Sequence, residues 1–164
     1  MDCRVAAASP PRSWRTHTGG FAGHGRRSRP GGRSSGPAAG AALLYCSSTV
    51  ALACLETRVH LSGGDLLPLN RYLVRIAIPP SIWRDRTVLA PSEHVGWDAT
   101  PPGMVSIGWG SEWADSQRSL IAEVPSVIVP EEANILVNAR HRDAKRLRVS
   151  KVRRWTYDPR LARA

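Results

Sequence analysis

Apolar residues are sparse before residue 43 and regularly spaced after it, and this change of pattern divides the chain. Residues 1–42 hold few large apolar side chains, Val5, Trp14 and Phe21 among them, set in Gly, Ala, Pro, Ser and Arg. Such a stretch buries too little surface to offset the entropy of ordering it. From Leu43 onward the text is core-forming. Leu43–Cys46 predicts a short buried strand. Ser47 or Ser48 then offers an N-cap for a helix over Thr49–Leu61, which Gly63–Gly64 stops. On that helix Leu52, Leu55, Glu56 and Val59 fall at i, i+3, i+4 and i+7, so they share a face.

Further on, Arg71–Ile78 alternates, with Tyr72, Val74, Ile76 and Ile78 pointing one way as in a strand. Pro79–Pro80 ends it, and Ser81 is placed to cap a helical turn through Trp83. Gly96–Pro102 reads as a loop, and Ser106–Asp115 as a helix carrying Trp109 and Trp113 one turn apart. Arg118–Val124 predicts a strand broken by Pro125, and Ser126–Val129 a short apolar piece broken by Pro130. Ile135–Asn138 predicts another strand, His141–Ala144 a turn, and Arg146–Tyr157 one or two basic edge strands. Strands and helices mix without strict alternation, so the expected class is α+β, a mixed-sheet single domain over residues 43–164.

Composition adds charge to this division. The 164 residues suit one domain, and the hydrophobic share of 42% is low because of the first segment. The net charge of +10 is unevenly placed: +6 on residues 1–42, −4 on 43–139 and +8 on 140–164. Basic ends on an acidic body fit attraction to nucleic acid or an acidic partner, or simply a solvated charged face and an Arg-rich tail. Three cysteines, Cys3, Cys46 and Cys54, with no CxxC pair, argue against a disulfide framework or structural zinc. The five histidines form no HExxH or other metal spacing, so no metal is expected. No secretory h-region and no membrane-length apolar run stand in the sequence, and the expected location is the cytoplasm.

Candidate chemistry comes from polar residues where a plain core would not put them. Glu56 lies by an apolar helix face, and Ser126 sits between Pro125 and Val127. Asn134 and Asn138 bracket an apolar run, and Tyr45 lies in a buried strand. Each has a bland reading as a helix-edge, capping or turn residue. Together they suggest a pocket, because a buried polar group left unpaired costs about 1–3 kcal/mol. No Walker A motif, GxGxxG fingerprint or GxSxG elbow explains them.

Tyr45–Ser48 with Ala51–Glu56, Arg71–Val74, Gly96–Asp98, Ser106–Gly108 with Trp113, Leu120–Asn138 and Trp155–Leu161 occur in order. This ordered set resembles the RES domain family, named for an arginine, a glutamate and a serine. The resemblance implies a fold like that of ADP-ribosyltransferases. It also implies a toxin of a toxin–antitoxin pair that depletes NAD by cleaving the nicotinamide–ribose bond, by phosphorolysis or hydrolysis. NAD is then substrate rather than cofactor, and inorganic phosphate the co-substrate. The implied partner is an Xre-type antitoxin, through which DNA is met only indirectly; no membrane is implied, and a homodimer or a toxin–antitoxin hetero-oligomer is compatible with it.

Carried over by motif, Glu56 matches the family glutamate, Ser126 the serine, Tyr45 a pocket tyrosine and Asn138 a family asparagine. The arginine belongs to a GGRWN-like stretch, matched here by Gly31–Gly32–Arg33 but followed by Ser34–Ser35. That departure leaves residues 1–42 readable as a disordered tail or as a divergent or frame-shifted first part of the domain. Arg33 would hold the NAD diphosphate or the attacking phosphate, Glu56 would stabilise positive charge on the ribose, Ser126 would orient the amide or a hydroxyl, and Tyr45 would lie against the nicotinamide. Two other readings stand beside this one: a RES-domain protein impaired by a defective N-terminus, and a basic nucleic-acid-binding module using Arg140–Arg154.

Overall fold

The computed structural model describes residues 43–60, 71–100 and 103–163. Arg33, Cys3, the Gly63–Gly64 stop and the end of the Gly96–Pro102 loop lie outside the described residues. Among the described residues six strands and three α-helices follow in the order β1 (Leu43–Ser47), α1 (Val50–His60), β2 (Arg71–Ala77), α2 (Pro80–Arg84), β3 (Thr87–Val88), α3 (Met104–Ser116), β4 (Ile121–Pro125), β5 (Ala133–Asn138) and β6 (Arg148–Trp155).

One sheet has the order β1-β5-β4-β3, antiparallel except for the parallel β3–β4 pair, and β2 and β6 form a separate antiparallel ribbon. The architecture is therefore mixed α/β with a mixed sheet, as the irregular alternation of elements predicts.

The four-stranded sheet is covered on both faces. Side chains alternate along a strand, so β5 sends Ile135 and Val137 to one face and Asn134, Leu136 and Asn138 to the other. The first pair packs with Cys46, Ile121, Ile76, Ile78 and Ile82, which brings the ribbon and α2 against that face. Leu136 packs with Ala122, Val124, Leu89 and the fully buried Trp113 of α3. The half-buried Trp109 stacks on Trp113 at a centroid distance of 6.5 Å, so the two tryptophans one turn apart share the helix face turned to the core.

Local chemistry accounts for the element ends. Thr49, rather than Ser47 or Ser48, caps α1: its Oγ1 accepts the Leu52 N–H at 3.1 Å. Both serines are drawn to β5 instead, Ser47 to Asn134 and Ser48 to the Ala133 backbone. α2 begins with Pro80 in its first turn and has no side-chain cap, so Ser81 does not cap it; its hydroxyl accepts from Arg146. α3 ends at Gln117, whose φ of 52° puts it in the left-handed region that closes a helix.

Two expected faces differ from the structure. On α1 the buried residues are Leu52, Ala53 and Glu56, whereas Leu55 is exposed and Val59 is 63% exposed. The helix is rolled so that its carboxylate faces inward and two of its apolar side chains face out. On β2 Leu73 is buried along with Ile76 and Ile78, and Tyr72 and Val74 are half-buried. The pairing register shifts between Leu73 and Val74, leaving Val152 of β6 as the extra residue, and such a bulge adds local twist.

Candidate active site

Glu56 is 7% exposed, and its position follows from the roll of α1. Thr57, the next residue, bonds back to the Ala53 carbonyl, and Arg58 Nε donates to the Leu161 carbonyl at 2.7 Å. The closing Trp155–Leu161 segment is thereby tied to the helix that carries the carboxylate. It lies far from Glu56 in sequence and still holds the helix in place.

Two donors converge on Glu56 Oε1. The Ser126 hydroxyl donates at 2.9 Å, and the Asn134 side-chain amide donates as well. Ser126 is fully buried where the chain leaves β4, and its Oγ also accepts the N–H groups of Ile128 and Val129 at 3.1 and 3.2 Å. The proline-flanked segment is therefore a turn wound around the Ser126 oxygen, not a strand. This geometry fixes the hydroxyl proton toward the carboxylate, because both backbone donors occupy the lone pairs.

Asn134 opens the inward face of β5 opposite Ser47 and Val124. Its Oδ1 accepts from Ser47 Oγ at 2.8 Å, which fixes the amide so that its nitrogen points at Glu56. Tyr45, two residues before Ser47, stands on the same face of the sheet. Burial above all, then the nearby Glu56 carboxylate, push its hydroxyl well above the usual tyrosine range, while a hydrogen bond with Asn134 acts in the opposite sense. Tyr45 is thus a neutral phenol beside a carboxylate. Such a grouping presents an oriented negative charge and an aromatic ring at the end of a sheet, which suits a ligand that develops positive charge next to a flat ring.

The structure therefore gathers Glu56, Ser126 and Tyr45. Asn138 is not with them. It is buried at the other end of β5, where its Nδ2 donates to the Ala114 carbonyl at 2.8 Å and its Oδ1 accepts the Arg140 N–H at 3.1 Å. The asparagine that meets Glu56 is Asn134, and Ser47 is the residue that aims it. Alternation puts Tyr45 and Ser47 on one face of β1, but that Asn134 shares this face follows only from the pairing of β1 with β5. Among the described residues no cluster of His, Cys, Asp or Glu could hold a metal ion, and no helix is long and apolar enough to cross a membrane.

A mixed α/β domain with a buried, hydrogen-bonded Glu–Ser–Asn group is what the fold and the site define. The chain belongs to the RES domain family, whose pattern matches residues 4–159 and so starts well ahead of Leu43. It is 55% identical over 125 residues, 76% of this chain and 77% of the relative, to a protein of Sphingobium sp. (strain YBL2) named Prs ADP-ribosylating toxin. It is 36% identical over 125 residues, 74% of this chain and 79% of the relative, to Toxin Res of Yersinia enterocolitica serotype O:8 / biotype 1B (strain NCTC 13174 / 8081). A further Toxin Res, from Photorhabdus laumondii subsp. laumondii, is 33% identical over 124 residues, 74% of this chain and 76% of the relative.

Proposed function

We propose that this RES-domain protein is a toxin-type enzyme that consumes NAD by breaking the nicotinamide–ribose bond. The reading rests on one observation above the rest: the buried Glu56 carboxylate, oriented by Ser126 and Asn134 beside the Tyr45 ring. Breaking that bond gives the ribose oxocarbenium character, and a fixed carboxylate stabilises it without reorganising. Nicotinamide departs as a neutral molecule, so the step needs no metal. Ser126, whose proton and lone pairs are taken up by Glu56 and two backbone N–H groups, orients the carboxylate, and Tyr45 offers its ring to the nicotinamide. Arg33 is assigned the phosphates of the substrate through its planar guanidinium. Inorganic phosphate or water then takes the ribosyl carbon, and an Xre-type antitoxin is the partner that the family resemblance implies.

A second reading is transfer of the ADP-ribosyl group to a protein. It is favoured by the relative named as an ADP-ribosylating toxin. The same carboxylate serves both, and only the nucleophile changes.

The test is nicotinamide release from NAD by the purified chain, with and without phosphate, and with and without a protein extract under radiolabelled NAD. Phosphate-dependent release supports phosphorolysis, and label in a protein band supports transfer. Equal release by the unaltered chain and by Glu56→Ala would show that the mechanism is wrong.

A further inference from the structure

A concave site separate from the Glu56 group lies at the opposite end of the sheet. Among the described residues it is a cleft of about 600 Å³ where α2, the end of α3 and the segment after β5 meet. Four arginines line it, Arg118, Arg140, Arg142 and Arg146, against two carboxylates, Asp85 and Asp143. Asp143 is already engaged by Arg146 at 3.4 Å and lies 3.8 Å from His141 Nδ1. Among the described residues the guanidinium groups of Arg118 and Arg142 have no hydrogen-bonded or ionic partner. Positive charge is therefore left over inside a concavity, not spread over a convex face.

Two buried polar side chains, Ser119 and Asn138, hold the segments that form this cleft. Gln117, in the left-handed conformation, turns the chain out of α3 and presents Arg118. Ser119 is held by three contacts, accepting from Trp113 Nε1 at 2.9 Å, donating to the Ile121 carbonyl at 2.8 Å and meeting Thr87 Oγ1. Asn138 clamps the α3 terminus to β5 and receives the Arg140 N–H, which sets the start of the Arg140–Arg142 segment. This last contact explains a buried asparagine that the Glu56 group does not use.

We propose that this cleft binds the phosphate groups of a small phosphorylated ligand of nucleotide or oligophosphate type. All its basic lining residues apart from His141 are arginines, whose planar forks match phosphate oxygens in pairs. The volume of about 600 Å³ falls in the range of small-molecule pockets. The cleft is separate from the Glu56 group. Asn134 and Asn138 lie four residues apart on an extended strand, about 14 Å, so an anion held here does not reach the carboxylate as a nucleophile. The inference stands whether or not the chain acts on NAD.

The experiment is calorimetric titration of the full chain with inorganic pyrophosphate, with ADP and with a single-stranded oligonucleotide. It is paired with phenylglyoxal modification of arginines mapped by mass spectrometry. Pyrophosphate and ADP are expected to bind, and Arg118→Gln/Arg142→Gln to weaken both by at least about tenfold. Glu56→Ala should leave pyrophosphate binding to the cleft unchanged. Pyrophosphate should protect Arg118 and Arg142, but not Arg148 or Arg153, from phenylglyoxal, a readout that needs no variant to fold. Equal affinity in the double variant, lack of protection at Arg118 and Arg142, or binding of the oligonucleotide alone would overturn the proposal.

Discussion

Asn134 and Asn138 stand on the same face of β5, both 1% exposed, and their side chains are employed differently. Asn134 spends its amide on a carboxylate and a serine hydroxyl. Asn138 spends its amide on two backbone groups, closing a helix terminus onto a strand and launching a loop. The first arrangement concentrates charge that a plain core would exclude. The second satisfies backbone groups that every fold must satisfy. Burial alone therefore does not mark a functional residue; the nature of the partner does.

The largest expected effect separates these two residues directly. Replacing either asparagine by leucine strands its partners and should cost about 1–3 kcal/mol of stability in urea unfolding. Per folded molecule, Asn134→Leu should lower nicotinamide release by about 100-fold, the scale of losing one oriented polar group from an electrostatic site. Asn138→Leu should lower it far less. Equal losses in the two variants would break the comparison.

A smaller loss is expected at Ser126. Ser126→Ala removes one of two donors to Glu56 and the acceptor of two backbone N–H groups. Release should fall by about tenfold, equivalent to about 1.4 kcal/mol. The turn should loosen too, seen as faster amide exchange at Ile128 and Val129. Unchanged exchange there would mean that the turn does not depend on the hydroxyl.

Alkaline pH sharpens the same end of the molecule. Burial, with the Glu56 charge adding to it, raises the Tyr45 hydroxyl above its ordinary value of 10.0. Above that pH the unfolded chain releases the proton while the folded chain keeps it. The stabilisation is thus complete below this pH and is lost as pH rises through the folded value. Urea midpoints at about pH 9 and about pH 11 should differ, and Tyr45→Phe should reduce that difference. Some slope will persist, because burial raises Tyr157 as well. A slope unaltered by Tyr45→Phe would place the titration elsewhere.

The smallest effect belongs to the outer face of α1. Val59→Ser at a position 63% exposed should change stability by less than about 0.5 kcal/mol. A loss of about 2 kcal/mol would mean that this face is covered.

Much of this arrangement was legible in the sequence. Short apolar runs located β1, β4 and β5, alternation located β2, and spacing of three and four located α1, with Trp109 and Trp113 four apart marking α3. The roll of α1 was not legible. Its apolar positions at i, i+3, i+4 and i+7 include Leu55 and Val59, which are exposed, because the pull on Glu56 from Ser126 and Asn134 is long-range and leaves no local trace. The same cause hid Ser47, which looks like a helix cap until β5 is laid beside β1. Glu56, Ser126 and Tyr45 could be singled out as polar residues in apolar text. Which asparagine joins them depends on strand register, and register is fixed only by pairing.

We propose that the Glu56 end of the sheet carries the NAD chemistry and the arginine-lined end does not. It is tested most directly by initial rates of nicotinamide release for three proteins side by side: the unaltered chain, Glu56→Gln and Arg118→Gln/Arg142→Gln. The expected result is a loss of about 100-fold or more in Glu56→Gln, with the double arginine variant within about twofold of the unaltered chain. Release that survives in Glu56→Gln, or that disappears in the arginine variant, would contradict the account.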